Sequence, residues 1–315
     1  MQYGFNIPGK GPFAQPDLLA RLVQTGEELG YSYLATSDHI IIPDRVEARY
    51  PYTLGGDFPA GTVPEFLEPL TMLSFLAGIT RSIGLMVSVM VVPHRPTILA
   101  AKMLATLDVL SKGRVILGAG VGWMEEEFQI LGLPPFEKRG QVTDEYLRAY
   151  KELWTEESPS FKGEFCNFSG FQFLPKPVQT PSIPIWIGGS GRSALRRAGW
   201  LGDVWHPIVG NPADPLEPAA LKVAMDEVKR YAIQADRDPA TIQTVIKASL
   251  YDRGVESVAR QRRRFTGTAA EIADDLVAYQ NVGVGGVFFD MRAPSTDQTF
   301  ERQEWIAKDV MGKVH

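Results

Sequence analysis

The chain predicts a (β/α)8 barrel, and three observations carry that expectation. Short apolar runs alternate with helical segments about eight times along 315 residues, no shift in composition marks a linker, and polar and glycine residues gather just after the apolar runs. Eight βα units in roughly 250–320 residues are the size of such a barrel, whose functional groups sit at the C-terminal strand ends. The rival, an open doubly wound sheet, would place a glycine-rich fingerprint after its first strand. Here that turn is Pro8-Gly9-Lys10-Gly11-Pro12, and its prolines spoil it as a dinucleotide loop. One domain covering residues 1–315 is expected.

The elements follow in order. Residues 3–7 read as a strand, and 16–29 as a helix with Leu18, Leu22, Val23 and Leu29 at helical spacing and Gly30 at its end. Residues 31–37 form the second strand. The segment 43–69, rich in Pro, Gly and Tyr, exceeds an ordinary βα loop; with Tyr50, Tyr52, Phe58 and Phe66 it reads as a lid. A helix over 70–80 and a strand over 83–92 follow. Pro96 then opens a helix in the first-turn position that suits proline, and Gly113 ends it. The fourth strand, 114–117, runs into the glycines of 118–122. Residues 125–154 are helical with a break at Pro134 and Pro135, and 160–173, with four phenylalanines, reads as a β-hairpin inserted before the fifth strand. Strand 183–187 leads into Gly188, Gly189, Ser190 and Gly191, then a helix with Ala194, Leu195 and Ala198 on its apolar face. A short strand (203–205), a helix (216–235), a strand (242–250), a helix (268–281), a strand (286–290) and a closing helix (298–311) complete the chain.

Composition excludes several classes. A net charge of −5 argues against nucleic acid as a partner. No apolar run reaches membrane-spanning length, and the first residues are strand-like rather than signal-like. A single cysteine, Cys166, excludes an internal disulfide framework and a cysteine-rich metal site. No His-x-His pair or converging ligand set supports a metal centre. A cytoplasmic protein acting on a small molecule is expected.

The strand ends carry the chemistry. Three of four histidines fall there (His39, His94, His206; the fourth is His315), together with Asn6, Ser88 and Asp290. His39 is the candidate for proton transfer. Asp38 either orients it or points away to bond backbone. Gly188, Gly189, Ser190, Gly191 and Arg192, a glycine turn feeding a helix N-terminus, form a candidate anion pocket. Lys247, in the seventh strand, could form a Schiff base, although a lysine paired with a carboxylate is the plainer reading. The basic run Arg260, Arg262, Arg263 and Arg264 is either a solvated face or a contact to an anionic tail.

Taken together, Ser37-Asp38-His39, Ser88-Val89, the run from Arg114 to Gly122, Ile185 to Gly191, Leu201 to Trp205 and Phe265 to Glu271 resemble the bacterial luciferase-like flavin oxidoreductases, and more closely their branch dependent on coenzyme F-420. The resemblance covers residues 3–291. It implies a deazaflavin or flavin ring over the barrel mouth, with Ser88, Val89 and Gly120 beneath it and its phosphate at Gly188–Arg192. It also implies a non-proline cis peptide at Ser88-Val89 and a base or proton donor at His39. Relatives place a glutamate directly after the strand-4 glycines. Trp123 stands there in this chain, which leaves Glu125, Glu126 or Glu127 to replace it; Trp123 and Glu127 are assigned to the substrate side. The expected activity is hydride transfer between coenzyme F-420 and a small organic substrate of apolar or ring character. The alternatives are an FMN-dependent monooxygenase supplied by a partner reductase, a Lys247 lyase or aldolase, and a flavin-binding barrel without turnover. A homodimer is expected from the same resemblance.

Overall fold

The computed structural model describes residues 1–58, 65–211, 214–250, 262–291 and 293–314. Its frame is a closed parallel barrel of eight strands: β1 (Gln2–Asn6), β2 (Tyr33–Thr36), β3 (Gly84–Val91), β4 (Val115–Gly120), β7 (Ile185–Gly188), β8 (Val204–His206), β10 (Gln243–Ser249) and β11 (Gly286–Asp290). β11 pairs with β1 and with β10, which closes the ring. A short β9 (Ile208–Val209) adds to β10 at the rim. The helices α1 (Pro16–Glu28), α2 (Pro69–Ile79), α3 (Thr97–Ser111), α4 (Glu125–Ile130), α5 (Arg139–Thr155), α6 (Arg192–Leu201), α7 (Pro218–Gln234), α8 (Ala269–Gln280) and α9 (Thr296–Trp305) follow their strands. The inserted hairpin consists of β5 (Phe161–Lys162) and β6 (Asn167–Phe168), paired antiparallel.

Local chemistry explains the element ends. Pro16 and Pro69 open α1 and α2 at positions whose N–H has no helical partner. Glu68 caps α2 by accepting the Thr71 N–H at 2.7 Å. Thr268 and Glu271 form a reciprocal capping box at α8.

Several sequence expectations are corrected. β4 does not stop at Leu117 but continues through Gly118 and Gly120, because a Cβ at Gly118 would collide with the Val87 carbonyl oxygen across the pair. Pro96 is the residue preceding α3 rather than part of its first turn. His206 is the last residue of β8, not of the loop beyond it. The closing helix starts earlier, at Thr296 under a Ser295 cap, and runs through a π turn over Ile306–Val310 into a 3-10 turn at Met311–Lys313.

Two apolar layers hold this frame. One lies between sheet and helices and includes Phe5, Leu34, Leu104, Leu117, Ile187 and Phe289. The other fills the barrel: Ala35, Met86, Ile116, Trp186, Val204, Val245 and Phe288, with Tyr33 against them. Tyr33 stacks on Phe288 at 5.5 Å, and His206 tops the plug, 5.4 Å from Phe288 and 5.7 Å from Trp186. A filled interior leaves only the C-terminal mouth for a ligand.

The floor of that mouth is a bulge in β3. Register with β4 shifts between Val87 and Met90, and the Ser88–Val89 peptide is cis. The Val89 side chain occupies space that Gly120 and Gly188 leave open: a Cβ on Gly120 would overlap Val89 Cγ2, and one on Gly188 would lie 2.8 Å from Cγ1. These two glycines therefore seat the bulge. Gly120→Ala is expected to lower stability by about 1–3 kcal/mol through overpacking. Val89→Ala added to it should restore part of the loss, read as non-additive midpoints in denaturant unfolding; simple additivity would contradict the packing.

Candidate active site

His39 lies three residues beyond β2, at the start of the long loop to α2. Its Nδ1 is 3.0 Å from Glu127 Oε2, and a carboxylate only accepts, so Nδ1–H donates. In the neutral ring this leaves Nε2 as the acceptor nitrogen, and it has no hydrogen-bond partner among the described residues. The His39 side chain keeps 14% exposure, while Glu127 is 2% exposed. Glu127 Oε1 also accepts the N–H groups of Ile40 at 2.8 Å and Ile41 at 3.3 Å. Of the three glutamates left open by the sequence, Glu127 is thus the carboxylate that orients the histidine.

Asp38 points the other way. It takes a bidentate bond from Arg95, 2.9 Å on each side, and the Val91 N–H at 2.8 Å. Of the two sequence readings of Asp38, orienting His39 or pointing away to bond backbone, the second holds: Asp38 accepts the Val91 N–H and belongs to the β2–β3 seam, so it is not a catalytic partner of His39. Arg95 reaches on to Glu68 at 2.6 Å, so one guanidinium ties the residue before the loop to the residue that caps α2 after it. Burial pulls the Glu68 carboxyl upward, but the Thr71 N–H and Arg95 hold it below its ordinary value.

His94 sits behind Glu127, with Nε2 3.9 Å from Oε2 and its ring edge-on to Phe128 at 5.4 Å. Burial pushes its pKa down, against the opposing pull of Asp38 and Glu127, with Arg95 and His39 adding to the depression. His206 donates Nδ1–H to the Val245 carbonyl at 2.7 Å, which leaves Nε2 to accept the Ser88 hydroxyl at 3.1 Å. Burial drives this imidazole down to about 4, with Val245 opposing and Lys247 adding to it. The His206 ring is therefore uncharged at neutral pH.

Aromatic rings wall the His39 side. Trp123 lies 5.0 Å from Tyr50 and 5.3 Å from Phe58; His39 lies 5.5 Å from Phe66, 6.1 Å from Phe58 and 6.4 Å from Trp123. The sequence's lid aromatics and Trp123 thus meet at one place.

The glycine turn stands on the opposite side. Gly189 has φ +99, in the region where glycine is favoured, and its carbonyl accepts the Trp205 indole N–H at 2.9 Å. Gly189, Ser190, Gly191 and Arg192 are exposed, α6 has no acidic residue in its first turn, and nothing lies within 4 Å of a Cβ built on Gly191. Ser190 donates to Asp214 at 3.2 Å, and Arg192 to the Tyr231 hydroxyl at 3.3 Å. Of the arginine run, Arg260 lies outside the described residues; Arg262 and Arg264 are bound by Asp275, and Arg263 by the Gly210 carbonyl. That run braces a loop on α8. Lys247 already has an interaction partner. His315 is outside the described residues. Among the described residues no three His, Cys, Asp or Glu side chains converge as metal ligands, and no helix is long and apolar enough to cross a membrane.

Sequence reasoning missed Arg95, the partnership of Ser88 with His206, and the use made of Glu126, which accepts the N–H groups of Glu47 at 2.6 Å and Ala48 at 2.8 Å. Their partners are 27 or more residues away, beyond any local pattern.

A parallel barrel with an ionisable pair, an aromatic wall and an open helix N-terminus around its mouth is an enzyme-like frame. The model of the luciferase-like monooxygenase family matches residues 3–281, and the chain belongs to that family, whose members are oxidoreductases or monooxygenases. An uncharacterised protein of Mycobacterium tuberculosis is 35% identical over 191 residues, 61% of this chain and 66% of that protein. A protein of Pseudomonas putida described as an FMNH(2)-dependent dimethylsulfone monooxygenase is 30% identical over 195 residues, 61% of this chain and 51% of that one. The matches thus span between half and about two thirds of these relatives' length. Among solved structures, an F420-dependent secondary alcohol dehydrogenase in complex with an F420-acetone adduct superposes with a TM-score of 0.79 at 15% identity, over 100% of this chain and 99% of that one. It shares the fold.

His206 gives a pH prediction. Its folded pKa of about 4 lies below the ordinary 6.5, so the unfolded chain binds the extra proton between those values. Stability should be full above pH 6.5 and fall toward pH 4, by about 3 kcal/mol for this one group. His206→Gln should flatten that part of the stability–pH curve; an unchanged slope would show that another group carries it.

Proposed function

We propose that the protein is an oxidoreductase that moves a hydride between coenzyme F-420 and a small organic substrate, with His39 handling the proton. The observation that carries this reading is the His39–Glu127 pair: Nδ1 is tied to a buried carboxylate at 3.0 Å, while Nε2 has no partner among the described residues. An imidazole held in that tautomer can accept a proton at Nε2 from a substrate hydroxyl, or return one to a carbonyl oxygen, and the resulting imidazolium is stabilised by Glu127. Asp38 and Arg95 keep the backbone next to His39 fixed.

The residues present fit the cofactor. The exposed amides from Gly189 to Arg192, with Arg192 itself, suit an anionic tail, and the open space before Gly191 admits it. The Ser88–Val89 bulge, held by Gly120, Gly188 and His206, offers an uncharged floor for a planar ring. When bound, the cofactor supplies or takes the hydride. Trp123, Tyr50 and Phe58 would shelter the substrate from water and favour apolar or ring-bearing molecules. A homodimer in the cytoplasm belongs to the same proposal.

A second reading, an FMN-dependent monooxygenase fed by a reductase, is supported by the 30% identity to the FMNH(2)-dependent dimethylsulfone monooxygenase. The Lys247 Schiff-base reading gains no support, since Lys247 has an interaction partner of its own.

Fluorescence titration of the purified protein with F-420 and with FMN should show tight binding of the first and weak binding of the second; the reverse order would favour the monooxygenase. His39→Ala should cut turnover by roughly 10²–10⁴-fold, the range for a lost general acid or base, while leaving cofactor affinity nearly unchanged. Equal losses in both would contradict the proton-transfer role.

A further inference from the structure

We propose that Glu126 is a positioning residue that holds the aromatic wall of the site in place. The inference builds on the reading of His39 and Trp123 as the substrate side. Glu126 and Glu127 are neighbours at the start of α4, and residues one apart on a helix point about 100° apart, so the two carboxylates serve different parts of the same loop. Glu127 is buried and holds His39, Ile40 and Ile41. Glu126 uses one oxygen to accept the N–H groups of Glu47 at 2.6 Å and Ala48 at 2.8 Å. Among the described residues no cation pairs with Glu126, so these backbone donors are its partners.

The chain beyond Ala48 is a turn closed on itself. Tyr50 donates its N–H to the Gly56 carbonyl at 2.7 Å, Gly56 to Thr53 at 3.2 Å, and the Thr53 hydroxyl to the Asp57 carbonyl at 3.0 Å. That turn carries Tyr50, Tyr52 and Phe58, with the Tyr50 ring between the other two, 5.2 Å from Tyr52 and 5.4 Å from Phe58. It meets Trp123, three residues before Glu126, at 5.0 and 5.3 Å. A self-bonded turn moves as a unit, and Glu126 joins its stem to the rim segment that bears Trp123. Burial pulls the Glu126 carboxyl upward, but its own N–H and those of Ala48 and Glu47 hold it below the ordinary value. Its other oxygen, Oε2, is buried without a hydrogen-bond partner among the described residues, and the position of Glu126 in the first turn of α4 suits a carboxylate. Release of this joint would swing Tyr50 and Phe58 away from Trp123 while leaving the His39–Glu127 bond intact.

Hydrogen exchange on the full chain without cofactor tests this, so its outcome is independent of which flavin binds. In Glu126→Ala, amides at 47–48 and in the 50–57 turn should exchange roughly tenfold faster or more, with those at 40–41 unchanged. Glu126→Gln keeps a carbonyl acceptor and should stay close to wild type. Acrylamide quenching of tryptophan should rise in Glu126→Ala, and this rise should vanish in a Trp123→Phe background. Unchanged exchange at 47–48 in Glu126→Ala, equal loosening at 40–41, or a Glu126→Gln variant as loose as Glu126→Ala would overturn the proposal.

Discussion

The mouth of this barrel is organised around one buried negative charge. Glu127 is 2% exposed, and a carboxylate in such surroundings is tolerated only when its lone pairs are met by good donors. The donors here are the His39 ring and two successive backbone amides of the loop leaving β2. Bonds to a charged acceptor contribute about 1.5–3 kcal/mol each, and removing one partner of a buried charge costs more than the bond itself. The same charge therefore fixes the tautomer of His39 and the exit path of the loop. A neutral histidine at this place would be a weak base of uncertain orientation without it.

The second constraint is steric. The bulge in β3 pushes Val89 toward β4 and β7, and both neighbours answer with glycine. The floor is then shaped by packing while His206 and Ser88 satisfy each other below it as a neutral pair. The Glu127–His39 pair lies in the loop after β2, and the open helix N-terminus follows β7, at a different strand of the barrel. That separation suits a ligand with an anionic tail and a planar, uncharged body.

The fold was legible in the sequence because alternation of apolar runs and helical periods is a local property, and the barrel follows from counting it. The glycine turn, the lid aromatics and His39 were legible for the same reason: each is a residue type out of place at a strand end. The partners were not. Asp38 and His39 are adjacent in sequence, yet Asp38 serves Arg95 and His39 serves Glu127, 88 positions away. Three consecutive glutamates at 125–127 are equivalent by composition, and only the phase of a six-residue helix separates the one that orients a base from the one that holds a loop. The glycines at 120 and 188 were read as ligand contacts, and nothing in the sequence signalled that their missing Cβ atoms also make room for Val89.

The most direct measurement of the central claim is the tautomer of His39 by nitrogen-15 NMR, with only four histidines in the chain to assign. At neutral to alkaline pH the proton should reside on Nδ1, in a strong hydrogen bond, and move from that state on replacement of Glu127 by Gln. A proton on Nε2 in the wild-type protein, or a spectrum indifferent to Glu127, would contradict the carboxylate's hold on the base.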